Sequence, residues 1–180
     1  MNRREEIYLQ GRCPCRECSG TKLDEKLVKW ILDFEKNTGL KIEITSGARC
    51  ESYNREVGGY WNSPHLIDIN GIGHAIDFQI KGLKPIEIAY KVDGFDSQGR
   101  IGIYQAHIHK DLEIPNPSKY WYVNKEYIYS GNINNLTDFL YKLKREGRLS
   151  KNDKDTFGDI IGNSGSVVYI PKKGSQYLGF

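Results

Sequence analysis

The sequence has no apolar run approaching the ~20 residues that a membrane-spanning helix requires, which excludes a helical membrane anchor within it. It also lacks any internal repeat or low-complexity tract, so solenoid, fibrous and disordered architectures are set aside. The opening "MNRREEIYLQ" carries basic residues without the apolar stretch of a secretory leader, and the expectation is a protein not exported by a leader of its own. An excess of one charge is missing too. With 26 basic and 23 acidic side chains the formal net charge is +3, which demands no nucleic-acid partner and only mildly favours an anionic polymer. Cysteine is sparse: three of the four fall in "CPCRECSG" and the last ends "SGARC". Without a leader, reduced thiols or a metal site are expected before disulfides.

What is present describes an ordinary globular chain. At 180 residues, 38% apolar and 27% charged, it can bury one sizeable core, with a small appendage at most. Leu23, Leu27, Ile31 and Phe34 recur at helical spacing, predicting an amphipathic helix over 21–39 with Thr21 placed to cap it and Gly39 to end it. "LKIEIT" alternates like a strand, and residues 51–75, rich in Gly, Asn, Ser and Pro, read as a long ordered loop. "HAIDFQI" reads as a strand, "KPIEIAYKV" as a short helix with Pro85 in its first turn, and "RIGIYQAHIHKDL" as a second strand. Beyond Pro115 the texture becomes aromatic and turn-rich. A helix over "LTDFLYKLKREG" follows, ended by Gly147, and "SVVYIPKKGSQYLGF" closes with a short strand.

The four histidines fall in two short stretches, "NSPHLIDINGIGHAIDFQI" and "YQAHIHKDL". In a strand, His107, His109 and Asp111 project to one side, and Ala106, Ile108 and Lys110 to the other. By itself His-x-His is a weak signal. Asp77, however, ends "GHAID", where Gly73 and Ala75 are small enough for close backbone approach. Zinc takes neutral imidazole nitrogen and carboxylate oxygen, and a catalytic zinc keeps three protein ligands and one exchangeable position.

These residues carry a resemblance. "NSPH", "GHAID" and "HIHKD" resemble the S-x-H-x-x-G-x-A-x-D and terminal H-x-H or H-x-D signatures of the M15 family of zinc peptidases, the D-alanyl-D-alanine carboxypeptidase and peptidoglycan endopeptidase group. Its wider relatives include the lysostaphin-type peptidases and the zinc-binding domain of Hedgehog proteins. "ITSGARCESYNREVGG" looks like the family's TSGYRS segment with its following YN and GG, and "RIGIY" looks like the family's approach to the last histidine. "CPCRECSG" looks like the cysteine-rich opening of phage members. The likeness covers roughly residues 10 to 122. It implies His65, Asp77 and His109 as ligands of a catalytic zinc, Ser63 and Gly73 as residues shaping the ligand loop, and Arg49 as a holder of a substrate carboxylate or carbonyl.

Two departures qualify that transfer. The first histidine and the aspartate are normally seven residues apart in the family, whereas His65 and Asp77 are twelve apart, so the loop between them must bulge and His74 remains a rival ligand. The carboxypeptidase branch carries a carboxylate three residues before the last ligand, where this chain has Ala106. By likeness to the lysostaphin-type arrangement, His107 becomes the candidate for managing the proton of the attacking water.

Cys13, Cys15, Cys18 and Cys50 are candidates for a second, structural zinc, with free or disulfide-bonded thiols as the alternative. Asp111 is weighed as a residue orienting a ligand, Asp68 as a solvated loop charge, and Tyr60 and Trp61 as either groove-lining or packing aromatics. The fold expected is α+β and Hedgehog/D-Ala-D-Ala-peptidase-like, a small antiparallel sheet carrying the ligands with flanking helices. Residues 1–122 form the zinc peptidase domain in this reading, and 123–180 an extension. The resemblance implies hydrolysis of a peptidoglycan stem peptide or cross-link, with no nucleic-acid or membrane partner, by a phage lysin or virion-borne enzyme made in the cytoplasm. The rival readings are a zinc-binding module without turnover and an accessory virion protein docking through its last third.

Overall fold

A computed structural model describes residues 1–162 apart from 16, 17, 19, 97, 113–117, 126, 132 and 134. The closing strand expected in "SVVYIPKKGSQYLGF" lies outside the described residues. In chain order the elements are α1 (Arg3–Gln10), β1 (Lys22–Leu23), α2 (Glu25–Thr38), β2 (Glu43–Ser46), α3 (Glu51–Glu56), β3 (Ile72–Gly73), β4 (Ala75–Gln79), α4 (Pro85–Phe95), β5 (Arg100–Ile103), β6 (Ile108–Asp111), β7 (Tyr120–Asn124), β8 (Tyr127–Gly131), α5 (Leu136–Arg145) and α6 (Lys151–Gly162). No helix among them is long and apolar enough to cross a membrane.

Six strands form the main sheet in the order β2-β4-β6-β5-β7-β8, and β1 pairs with β3 separately. The architecture is α+β, as expected, but the sheet is larger than expected and mixed, because β5 and β7 run parallel. The strand foreseen over residues 100–112 is in fact a hairpin: β5 and β6 pair antiparallel, joined by a turn in which the Tyr104 N–H donates to the His107 carbonyl at 3.0 Å. His107 therefore sits in the turn just ahead of the strand that carries His109.

Pleating sorts the strand side chains onto two faces. One face holds Ile76, Phe78, Ile108, Ile101, Ile103, Tyr120 and Tyr122, all buried in a single core with Trp30, Phe34 and Leu27 of α2 and Ile86, Ile88 and Val92 of α4. Trp30 and Phe34 stack at 5.4 Å, and Phe95 closes edge-on against both. Each fully buried side chain of this size contributes about 1.5–3 kcal/mol. Phe139, Leu140 and Leu143 of α5 and Phe157 of α6 belong to the same core. Tyr120 and Tyr122 anchor β7 through hydroxyl hydrogen bonds to Asp93 (2.7 Å) and Asp153 (2.5 Å). Lys110 is the exception on this face, wholly buried, with its ammonium donating to the Gln98 carbonyl and lying over the Trp30 ring. Burial lowers its pKa to about 8.

Local chemistry sets the element ends. Helix α2 begins later than the apolar spacing suggests, because Leu23 belongs to β1 and Asp24 caps the helix by accepting the Lys26 N–H at 2.7 Å. Thr21 instead accepts the Cys13 N–H. Gly39, at φ +69, ends the helix as expected. Residues 51–56, read as loop, form α3. Two backbones meet at Gly47, where an added Cβ would lie 2.4 Å from the Gly11 carbonyl oxygen, and the adjoining Ala48 N–H donates to that oxygen at 2.9 Å.

This contact predicts a contrast between two glycines. Gly47→Ala must displace the Gly11 backbone and is expected to cost about 1–3 kcal/mol. Gly94→Ala, in α4 with open space around it, is expected to stabilise by ~0.5–1 kcal/mol. Thermal unfolding checks both, at roughly 2–4 °C per kcal/mol for a chain of this size.

Candidate metal centre

The second face of the sheet carries one cross-strand row. Ser46, Asp77, His109, Gly102, Trp121 and Ser130 follow one another across β2, β4, β6, β5, β7 and β8, each directly opposite the next. A bulge in β2 brings Ser46 rather than Thr45 opposite Asp77. Residues directly opposite share a face, so Asp77 and His109 are adjacent side chains by virtue of register alone. His65 arrives from the loop before β3.

Three atoms converge. His65 Nε2 lies 3.1 Å from Asp77 Oδ1 and 3.0 Å from His109 Nδ1, and His109 Nδ1 lies 3.0 Å from Asp77 Oδ1. All three residues are buried. Each is held from behind. His65 Nδ1 faces the Gly47 carbonyl at 2.7 Å, and since a carbonyl only accepts, that nitrogen carries the proton and Nε2 presents a lone pair. His109 Nε2 faces the Asp111 carboxylate at 3.0 Å, which by the same logic leaves Nδ1 unprotonated. Asp111 is fixed in turn by Arg100, whose Nε and Nη2 donate to it at 2.8 to 3.1 Å. Arg49 Nη2 donates to Asp77 Oδ2 at 2.5 Å, and its Nε donates to Ser46 at 2.9 Å.

Three lone pairs facing one another at this spacing repel unless a cation lies between them. Zinc holds nitrogen and oxygen at ~2.0–2.1 Å, which puts neighbouring vertices of its tetrahedron roughly 3.3 Å apart, and the observed triangle fits. The partners behind the three side chains are of the kind found around metal ligands, where a histidine gives its other N–H to a carboxylate or carbonyl. Electrostatics agree. Burial alone raises the Asp77 pKa, but the two imidazoles packed against it, His109 and His65, hold it far below the usual carboxylate range. Burial pushes His65 down. For His109 burial is outweighed by Asp111 and Asp77, which raise it, so a proton competes with a cation for Nδ1.

The remaining sequence candidates fall into place around this triangle. His107 is half-buried, stacked on Tyr104 with ring centroids 4.4 Å apart, and burial lowers its pKa, which keeps the ring neutral and able to accept a proton. His74 is directed elsewhere: its Nδ1 lies 3.0 Å from Asp24 and its Nε2 3.7 Å from Asp68. Asp68 does more than carry a solvated charge. Its Oδ1 accepts the N–H groups of Asn70 and Ile72, and this knots the extra residues between His65 and Asp77 into a tight turn that leaves Ile69 fully exposed. Ser63 accepts the His65 N–H. Gly73 meets the Ala48 backbone, where an added Cβ would approach to 2.6 Å. Tyr60 and Trp61 are exposed rather than packed.

Two residues went unnoticed in the sequence. Trp121 lies 5.0 Å, centroid to centroid, from His109, and its indole N–H donates to the Tyr104 hydroxyl at 3.2 Å. It can reach across because Gly102 stands between them in the row; an added Cβ there would lie 2.3 Å from the indole. A glycine inside the strand pattern "RIGIY" was the available signal for such a close approach. Arg100 gave no signal, because its partnership with Asp111 depends on hairpin register.

The four cysteines are free thiols. The sulfurs of Cys13, Cys18 and Cys50 all lie within 4.8 Å of one another. The Ser52 hydroxyl and the Tyr53 N–H draw the Cys50 thiol down to about 6, whereas hydrogen bonding to Cys50, with burial and contacts to Cys15 and Cys13, holds Cys18 well above its ordinary value.

No curated protein and no solved structure matches the chain. A family model described as Peptidase M15 matches residues 3–111, a span that holds all three converging side chains and ends at Asp111, the residue that orients His109. The chain accordingly belongs to the M15 peptidase family, a family of zinc-dependent metallopeptidases.

Proposed function

We propose that the protein hydrolyses peptide bonds of bacterial peptidoglycan, in the stem peptide or its cross-link, with His65, Asp77 and His109 holding the zinc. The observation that carries the reading is the triangle of two imidazole nitrogens and one carboxylate oxygen, each side chain fixed from behind, in a chain of a peptidase family. When bound, zinc supplies Lewis-acid activation of the water and of the scissile carbonyl. Peptidoglycan as substrate rests on the likeness of "NSPH", "GHAID" and "HIHKD" to the cell-wall branch of the family.

In this reading His107 accepts the proton of the attacking water and delivers it to the leaving amine. Its neutral ring and its place in the turn leading to His109 suit that work. Arg49 positions Asp77 by holding the carboxylate oxygen that faces away from the other ligands. Its expected hold on a substrate carboxylate is a further proposal, resting on position. Tyr104 and Trp121 wall the site beside His107 and His109, and exposed Tyr60 and Trp61 offer flat apolar faces to an extended peptide on the adjoining loop. Action on the cell wall as a phage lysin or virion-borne enzyme is proposed on the likeness of "CPCRECSG" to phage members of the family.

Mass spectrometry of muropeptides incubated with the purified protein tests this. His65→Ala is expected to abolish both cleavage and metal retention at the site. His107→Ala is expected to keep the metal and slow turnover by about 10²–10⁴-fold; undiminished turnover removes His107 from the chemistry. Hydrolysis of simple peptides with muropeptides left intact rejects the cell-wall substrate. Asp111→Asn is expected to weaken metal affinity about 10–100-fold, measured by competition with a chromogenic chelator, and unchanged affinity refutes its role in orienting His109.

A further inference from the structure

We propose that Cys13, Cys15, Cys18 and Cys50 form a second metal site, a four-thiolate centre for zinc or an ion of similar softness, which fastens the loop that positions the histidine and aspartate ligands. The site stands on the cysteine geometry alone. Its consequence for the first centre rests on the reading of His65, Asp77 and His109 as metal ligands.

The gathering of thiols is built by long-range folding. Cys50 is 37 residues from Cys13 in sequence, yet its N–H donates to the Cys13 sulfur at 3.4 Å. The Tyr53 N–H donates to the Cys50 sulfur at 3.4 Å, and the Ser52 hydroxyl lies 3.1 Å from it. N–H and O–H groups aimed at sulfur stabilise the thiolate, the form that binds metal. Cys18 completes the group in which all three sulfurs lie within 4.8 Å of one another. Thiolates at ~2.3 Å from a tetrahedral zinc stand roughly 3.8 Å apart, a contraction that small side-chain rotations supply. Cys15 enters through its contact with the Cys18 thiol and through its carbonyl, which accepts the Cys18 N–H at 3.2 Å. Cys13 and Cys18 thus bring two sulfurs to one point beside Cys50, which arrives from the start of α3, and Cys15 stands next to Cys18 as the fourth.

Placement gives the site its purpose. The segment 46–49 leads directly into the cysteine cluster and carries connections both to the first centre and to the amino-terminal peptide. The Gly47 carbonyl fixes the His65 tautomer, Arg49 holds Asp77, and the Ala48 N–H is bonded to the Gly11 carbonyl. Cys50 is the next residue along. A metal clip joining Cys50 to the 13–18 peptide closes a long loop, the case in which a crosslink removes most unfolded-state entropy, and it fixes that segment in the position the ligands require.

Elemental analysis and cobalt spectroscopy on the full chain test the proposal. About two zinc ions per chain are expected in the wild type and about one in either His65→Ala or Cys18→Ser. The cobalt-loaded wild type and His65→Ala are expected to show an intense near-ultraviolet thiolate-to-cobalt band that Cys18→Ser and Cys13→Ser lack. Should the cysteine variants not fold, the spectrum of His65→Ala decides by itself. A His65→Ala chain without the band, thiols that alkylate at the same rate with and without added zinc, or a disulfide between any two of the four would overturn the site. A wild type whose single zinc survives His65→Ala and is lost in Cys18→Ser would uphold the cysteine site and sink the histidine one.

Discussion

The structure turns on an electrostatic requirement: three buried lone pairs, from two imidazoles and a carboxylate, point at one another across about 3 Å and are tolerable only around a cation or a shared proton. Everything near them keeps them in that unfavourable pose. The Gly47 carbonyl and the Asp111 carboxylate take the protons that would otherwise turn the rings into mutual hydrogen-bond partners. Arg49 and Arg100 hold the two carboxylates by their far oxygens or edges. Such an arrangement costs stability by itself, and for the same reason it suits these residues to holding a metal.

The sheet makes the geometry inexpensive to hold. Asp77 and His109 need no long loop to meet, because β4 and β6 are hydrogen-bonded neighbours and these residues are directly opposite. Gly102 leaves a gap in the same row, and the Trp121 indole fills it. The wall of the site thus comes from a strand beyond the segment that the family model matches. Tyr120 and Phe139 stack at 5.9 Å on the opposite face, so residues past 120 serve both the core and the wall of the site.

Much of this was readable in one dimension. The apolar periodicity of 27–34, Gly39 as a stop, Pro85 at a helix start and Gly147 after α5 each act over a few residues, and each matches the structure. The motif context singled out His65, Asp77 and His109, which the fold does bring together. Other readings missed for physical reasons. A continuous alternating pattern over 100–112 cannot reveal the turn at 104–107, because both arms of a hairpin alternate. Residues 51–56 are too short and polar to carry helical periodicity, and α3 forms with the Cys50 side chain accepting the Tyr53 N–H at its start.

The sequence by itself determined the residue types capable of holding a metal, the local starts and stops of several helices, and membership of a peptidase family through short motifs whose chemistry is local. Only the tertiary structure decided that His74 turns to Asp24 while His65 turns inward, that Arg49 grips Asp77, that Trp121 crosses Gly102, and that Cys50 returns to Cys13. Those outcomes depend on strand register and on backbones meeting across distant parts of the chain. Each is a contact between residues whose separation in sequence carries no trace of their nearness in space.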